Sequence, residues 1–131
     1  MRRFFSSFVV FLVLLDFTAY AQTAADANNI NVEELKMRIE ENKNLVILDV
    51  RKPEELNGPL GKIDGVINIP VQELESRVGE LDKYKDKEIA VICRTGHRSA
   101  IAARILLEHG FTNVENVEGG MTAFRSDESP Y

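Results

Sequence analysis

The strongest constraint on the fold is one short stretch in which an apolar strand, a cationic loop and a helix start follow one another. Residues 89–92 form an apolar run of strand length that leads directly to Cys93, the only cysteine of the chain. The next five residues include a glycine and two arginines, and the pattern then predicts a helix from Ser99 to His109. Such a strand-loop-helix unit is typical of α/β proteins, in which ligands bind beyond the carboxyl ends of the strands.

This position predicts a reactive thiol at Cys93. A helix N-terminus presents unpaired amides and roughly half a unit of positive charge, and a tight loop leading into it can aim further amides at one point. Arg94 and Arg98 add positive charge, and Gly96 supplies the backbone freedom that a tight loop needs. We expect the Cys93 thiol to ionise more easily than free cysteine, whose pKa is about 8.5, and so to be a nucleophile. The alternative is an inert buried thiol.

Four motifs follow one another along residues 30–125. In chain order they are Leu48-Asp49-Val50-Arg51 followed by Glu54-Glu55, Gly61-Lys62-Ile63-Asp64-Gly65-Val66-Ile67-Asn68-Ile69-Pro70, Cys93-Arg94-Thr95-Gly96-His97-Arg98-Ser99 and Val117-Glu118-Gly119-Gly120-Met121. They resemble, respectively, the first core strand and its exit, the second strand and the approach to it, the active-site loop and the closing Gly-Gly turn of rhodanese domains. That family consists of sulfurtransferases that carry sulfane sulfur as a cysteine persulfide. The resemblance implies a rhodanese-like domain over residues 30–125.

Strand and helix patterns alternate along the chain, which favours an α/β fold with a mostly parallel sheet. Together with the resemblance, this predicts a three-layer domain with helices on both faces of the sheet. Asn31 is a good N-cap for the first helix, with Glu34 in the capping-box position. We expect strands at 45–50, 66–69, 89–92 and 114–117, a short edge strand from Ile30, and helices at 32–41, 53–56, 71–81, 99–109 and 121–125.

The resemblance also implies roles for the loop residues. Cys93 would take sulfur from an anionic donor such as thiosulfate and pass it, through a persulfide, to cyanide or a thiol. Arg94 and Arg98 would bind the donor oxyanion, unless one of them pairs with an acidic neighbour. Backbone amides from Arg94 to Ser99 would stabilise the sulfur, which makes Arg94, Thr95, Gly96, His97, Arg98 and Ser99 the candidate substrate-binding residues.

Other residues have supporting or open roles. The resemblance implies that Asp49 and Arg51 support the active-site loop. His97 could assist proton transfer or simply be exposed. No cofactor and no metal are expected beyond the persulfide itself, because two histidines and one cysteine cannot build an ordinary structural zinc site.

Two other functions remain open. The domain could be a non-catalytic sulfur carrier or binding module for an exported protein partner. It could also be a phosphatase or arsenate reductase, which some proteins of this fold are. Those loops place five residues between cysteine and arginine, whereas here four residues separate Cys93 from Arg98 and the next position is Ser99. The shorter loop favours sulfur over a tetrahedral phosphate.

The first 21 residues have the three parts of a secretory signal peptide. Two arginines precede an apolar segment over residues 4–15, and Ala19-Tyr20-Ala21 is a small-residue cleavage site. The apolar segment is shorter than the about 20 residues of an ordinary spanning helix, so no stable membrane anchor is expected. These features predict export, to the periplasm or the medium. Residues 22–29 would then form a flexible leader, and residues 126–131 a loose tail.

Composition limits the partners of the mature chain. Cleavage after Ala21 would leave 110 residues, enough for one domain, and losing Arg2, Arg3 and Asp16 would change the net charge from −5 to −6. An acidic chain argues against nucleic acid or an anionic membrane as a partner. It favours a small anionic donor and a small or protein acceptor at the locally cationic Cys93 loop. The oligomeric state stays open.

Overall fold

The computed structural model describes residues 26–126. The predicted signal peptide, the predicted leader up to residue 25 and the predicted tail beyond Ser126 lie outside this range. Within residues 26–126, no helix is long and apolar enough to cross a membrane.

In this part of the chain, five strands form one sheet, and each pairing described between them is parallel. This confirms the predicted α/β fold. The strands are β1 (Asn28–Ile30), β2 (Val46–Asp49), β3 (Ile67–Asn68), β4 (Ile89–Ile92) and β5 (Val114–Val117). The order across the sheet is β1-β5-β4-β2-β3, so the strand that leads to Cys93 lies at the centre.

Helices cover both faces of this sheet, as the three-layer prediction requires. The α-helices are α1 (Val32–Glu41), α2 (Pro53–Leu56), α3 (Val71–Arg77), α4 (His97–Glu108) and α5 (Gly120–Ser126), and a 3₁₀ helix (Val78–Tyr84) follows α3. One apolar cluster joins the sheet to α3 and α4 through side chains such as Leu74 and Leu106. A second cluster on the opposite face joins it to α1 and α5 through Leu35 and Met121. Every residue of β4 is buried, because this strand is covered on both faces.

Local signals explain where several elements begin. The Asn31 side chain accepts a hydrogen bond from the Glu34 amide at 2.8 Å, which confirms the predicted N-cap of α1. Pro53 occupies the first turn of α2, where its missing N–H costs nothing. At the far end of α1, the Arg38 guanidinium donates to the carboxylates of Glu34, Glu88 and Glu115 and so ties this helix to the sheet.

Several predicted boundaries were wrong. Strands β2 and β3 are shorter than the predicted 45–50 and 66–69, and α5 includes Gly120 and Ser126, of which Ser126 was predicted in the tail. Helix α4 begins at His97 rather than Ser99, because Gly96 has a φ of 105° and turns the chain into the helix at once. The predicted helix 71–81 is α-helical only to Arg77 and continues as a 3₁₀ helix, in which Gly79 weakens the α-helical geometry. Strand β1 ends at Ile30 and includes Asn28 and Asn29, which were assigned to the leader; pairing with β5 outweighs their polar character.

Candidate active site

Cys93 lies at the carboxyl end of the central strand and is 1% exposed. The Gly96 amide donates a hydrogen bond to its Sγ at 3.1 Å. The hydroxyl oxygen of Ser99, in the first turn of α4, lies 3.3 Å from the same sulfur. The loop and the start of the helix therefore enclose the sulfur atom.

The start of α5 holds the loop in this conformation from outside. The Met121 amide donates to the Cys93 carbonyl at 2.9 Å, and the Thr122 amide donates to the Arg94 carbonyl at 3.0 Å. Gly120 makes the close approach possible, since a Cβ on it would lie 2.4 Å from the Cys93 carbonyl oxygen. With these carbonyls bound to α5, the amides of the loop are left to face the sulfur.

A chain of polar side chains continues from the sulfur into the sheet. The Ser99 hydroxyl donates to Asn116 Oδ1 at 2.6 Å, and Asn116 Nδ2 donates to Asn29 Oδ1 at 3.0 Å. Ser99 and Asn116 are both buried. Sequence reasoning missed Asn116 and treated its strand as structural only. The available signal was an asparagine inside a buried strand, because a buried amide needs hydrogen-bond partners.

Hydrogen bonding controls the ionisation of Cys93. Burial has the largest single effect and raises the pKa of the thiol. Hydrogen bonds from the amides of Ser99, Gly96 and Thr95, and from the Ser99 hydroxyl when its proton points at the sulfur, act in the opposite direction and together outweigh it. The pKa of Cys93 is therefore lower than that of an ordinary cysteine, which favours the nucleophilic thiolate.

Arg98 is bound to an acidic neighbour. Its guanidinium forms two hydrogen bonds of 2.8 Å with the two carboxylate oxygens of Glu55 in α2. Both side chains keep some exposure, 26% for Arg98 and 32% for Glu55. These hydrogen bonds lower the pKa of Glu55 to about 2, and Glu55 in turn raises the pKa of Arg98. The charge of Cys93 also raises the pKa of Arg98, so this arginine and the thiolate stabilise each other.

Asp49 and Arg51 form a buried ion pair at the end of β2. Arg51 donates to Asp49 Oδ2 at 2.7 Å, and both side chains are at most 1% exposed. Arg51 also donates to the carbonyls of Glu55 and Gly61. Glu55 thus binds Arg51 through its backbone and Arg98 through its carboxylate. This link connects the predicted supporting pair to α4, and sequence reasoning missed Glu55 as its middle member.

The remaining predicted site residues surround the mouth of the loop. Arg94, Thr95 and His97 are exposed. Arg94 borders a cleft of about 190 Å³ whose other lining residues are Arg51, Glu55, Gly58, Pro59 and Leu60. Within the described range, no group of three or more His, Cys, Asp or Glu side chains is arranged to hold a metal ion.

Comparison with known proteins identifies the family of this site. The model of the rhodanese-like domain family matches residues 31–127, most of the chain. This chain belongs to the rhodanese-like domain family. The structure of a rhodanese-related protein from Thermoplasma volcanium superposes with a TM-score of 0.67 at 38% identity, covering 79% of this chain and 95% of that one.

Two relatives from Bacillus subtilis (strain 168) are named for sulfur chemistry. YtwF, a candidate sulfurtransferase by its name, is 37% identical over 105 residues, which are 80% of this chain and 97% of YtwF. YrkF, a candidate sulfur carrier protein by its name, is 39% identical over 101 residues, 77% of this chain. The aligned part spans only about half of YrkF, 52%. The family and these relatives support sulfur transfer as the general chemistry of the site.

Proposed function

We propose that this rhodanese transfers sulfane sulfur from an anionic donor such as thiosulfate to a thiol or cyanide through a persulfide on Cys93. The observation that carries the proposal is the sulfur atom of Cys93, which lies at the end of β4 within 3.1 Å of the Gly96 amide. This environment favours both a thiolate and a terminal persulfide, since loop amides and the helix start stabilise negative charge on sulfur.

The chemistry has two balanced steps. In the first, the Cys93 thiolate attacks the outer sulfur of thiosulfate, the sulfur–sulfur bond of the donor breaks, and sulfite leaves with the bonding pair. In the second, cyanide or an acceptor thiolate attacks the terminal sulfur of the persulfide. Thiocyanate or an acceptor persulfide forms, and the Cys93 thiolate is regenerated. Neither step requires a metal or an organic cofactor.

The cationic residues have distinct proposed roles in these steps. Arg94, exposed beside the 190 Å³ cleft, would bind the oxyanion of the incoming donor. Arg98, held by Glu55, would contribute fixed positive charge near the sulfur rather than move to the donor. Thr95 and Ser99 would contribute amides, and His97, which is exposed, would exchange a proton with an acceptor thiol.

The test is the rate of thiocyanate formation from thiosulfate and cyanide. We expect Cys93→Ser to abolish turnover. Arg94→Gln should raise the KM for thiosulfate more than it lowers kcat, because Arg94 is proposed to bind the donor. Arg104→Gln, which changes an exposed arginine of α4 paired with Asp26, is the matched control. Turnover by Cys93→Ser at the wild-type rate would overturn the proposal.

A second candidate function is a sulfur carrier for a protein partner, suggested by the name of YrkF. A carrier would accept sulfur on Cys93 and release it slowly to small acceptors. Comparing the rate of persulfide loading with the rate of its removal by cyanide distinguishes the two. A transferase shows repeated turnover, whereas a carrier shows a single loading with slow release.

We also propose that the chain is exported, on the basis of the signal-peptide pattern in residues 1–21. The mature protein would then hold its only thiol outside the cytosol. In that setting a lone cysteine is more useful as a sulfur acceptor than as half of a disulfide.

A further inference from the structure

The Ser99 hydroxyl lies between two possible hydrogen-bond partners. It is 3.3 Å from Cys93 Sγ and 2.6 Å from Asn116 Oδ1. A hydroxyl has a single proton, so it can donate to only one of them at a time. In this structure the proton goes to Asn116, because the Asn116 oxygen faces Ser99 and can only accept. The hydroxyl oxygen is then left to accept from the S–H of a neutral Cys93 thiol.

The thiolate requires the opposite arrangement. A thiolate has no proton and is stabilised by donors, so the Ser99 hydroxyl must then point at the sulfur. Asn116 must present its NH₂ group to the Ser99 oxygen, or the buried Asn116 carbonyl loses its donor. An asparagine amide makes this exchange by turning about its last bond, since its oxygen and nitrogen occupy equivalent places.

Asn29 is the last member of this series of hydrogen-bonded side chains, and it makes the turning of the Asn116 amide possible. It accepts from Asn116 Nδ2 at 3.0 Å, and as an exposed residue it has access to water. When Asn116 turns, its oxygen faces Asn29, which can turn its own amide to donate. Every polar side-chain atom of the two buried residues, Ser99 and Asn116, therefore keeps a hydrogen bond whether Cys93 is a thiol or a thiolate.

We propose that Asn116 and Asn29 are positioning residues, whose amides set whether the Ser99 hydroxyl points at Asn116 or at the sulfur of Cys93. The hydrogen-bonded series of Ser99, Asn116 and Asn29 gains and loses no proton. Only the direction of its hydrogen bonds reverses when the sulfur changes charge. The inference rests on Cys93 as the reactive group of the proposed function, but it does not depend on which sulfur donor is used.

Charged and titratable groups on the surrounding elements are not members of this hydrogen-bonded series. They are Arg98, His97 and Arg104 on α4, Asp26 before β1, Arg94 in the loop, the Asp49–Arg51 pair at the end of β2, and Glu118 after β5. A useful test therefore changes the hydrogen-bonding capacity of these side chains, Ser99, Asn116 and Asn29, and its control variant adds the same charge nearby.

Asn29→Asp provides this test, with Asn28→Asp as its control. Both substitutions add one negative charge to an exposed position of β1, but only Asn29 contacts Asn116. A carboxylate at position 29 can only accept, so it locks the Asn116 oxygen and the Ser99 proton in the arrangement that suits the neutral thiol. The measurement is the pH dependence of Cys93 alkylation by neutral iodoacetamide, which reports the thiolate fraction of the only cysteine.

We expect Asn29→Asp to lower the alkylation rate about threefold relative to Asn28→Asp at pH values below the pKa of Cys93, a shift of about half a pKa unit. Asn116→Asp should lower it by about tenfold. In a Ser99→Ala background, the difference between Asn29→Asp and Asn28→Asp should vanish, because the hydroxyl that transmits it is gone.

Equal shifts for Asn29→Asp and Asn28→Asp in the presence of Ser99 would overturn the proposal, since charge alone would then explain them. A difference that persists in Ser99→Ala would overturn it as well. Both decisive variants change exposed residues, so the result does not depend on whether Asn116→Asp folds. Alkylation requires no sulfur donor, so failure here is distinct from failure of the proposed sulfur transfer.

Discussion

At the scale of single residues, Glu55 connects three parts of the site. Its Oε2 accepts from the Lys52 amide at 2.9 Å, which caps α2, while both carboxylate oxygens bind Arg98. Its backbone carbonyl accepts from Arg51. One residue therefore connects a cation of the active site, through its carboxylate, to Arg51 at the end of β2, through its backbone carbonyl. We infer that Glu55 keeps Arg98 in position instead of competing with the substrate.

The depressed pKa of Glu55 leads to a prediction about stability. Arg98 lowers the pKa of Glu55 from 4.5 to about 2, so the ion pair contributes stability above pH 4.5 and loses it as the pH falls towards 2. Glu55→Gln should cost about 1 kcal/mol at neutral pH, a value reduced for solvent screening. In urea unfolding, the difference from wild type should shrink as the pH is lowered from about 6 to about 3. The control is Glu54→Gln in the same helix, and a difference that does not change with pH would contradict this account.

The buried ion pair between Asp49 and Arg51 gives a larger expected effect. Arg51→Met leaves the Asp49 carboxylate buried without its cation, and breaking such a pair typically costs about 3–5 kcal/mol. Arg77→Met, which breaks an exposed ion pair with Glu80, should change stability little. Urea unfolding of both variants measures the difference. Similar losses in the two would show that the buried pair is not the stabilising contact described here.

At the scale of elements, the active-site loop depends on two elements that are distant in sequence. Helix α4 supplies the amides and Ser99 on one side, and the start of α5 binds the carbonyls of Cys93 and Arg94 on the other. The closing Gly-Gly turn thereby acquires a physical role. Its second glycine, with a φ of 54°, lets α5 approach the loop backbone.

Gly120→Ala tests this role. The new Cβ would lie 2.4 Å from the Cys93 carbonyl oxygen, so the loop or α5 must move. We expect a loss of about 1–3 kcal/mol in stability and at least about a tenfold fall in thiocyanate formation. Gly79→Ala is the control, because a Cβ there meets no atom within 4 Å and the backbone is not left-handed. Equal behaviour of the two variants would show that the close approach is unimportant.

The elements themselves were largely predictable from local sequence. The apolar run 89–92 corresponds residue for residue to β4, and Asn31 caps α1 as its position indicated, because both depend on local periodicity and capping. The partners of the site residues were not predictable in this way. Arg98 binds Glu55, which is 43 residues away in sequence. Ser99 binds Asn116 of β5, and β5 lies beside β4 because of the order of the strands in the sheet.

At the scale of the whole molecule, the chain combines an acidic net charge with a local cationic site. The net charge is −5, yet Arg94, Arg98 and the start of α4 surround the one cysteine. This distribution would draw the proposed anionic donor to one point and repel it elsewhere.

The proposed export makes a prediction about the mature chain. Expressed in full in a bacterium with a periplasm, the protein should be recovered from the periplasmic fraction with Gln22 as its first residue. Intact mass after osmotic shock measures this directly. Substituting a charged residue in the apolar segment, as in Leu12→Arg, should retain the full-length chain in the cytosol. A full-length chain in the periplasm would contradict cleavage after Ala21.

The most direct test of the central claim is the intact mass of the purified protein after treatment with thiosulfate and then with cyanide. We predict a gain of about 32 Da, one sulfur atom, that is lost on addition of cyanide as thiocyanate forms. Cys93→Ser should show no gain under the same conditions. An unchanged mass in the wild-type protein, or an equal gain in Cys93→Ser, would contradict a persulfide on Cys93.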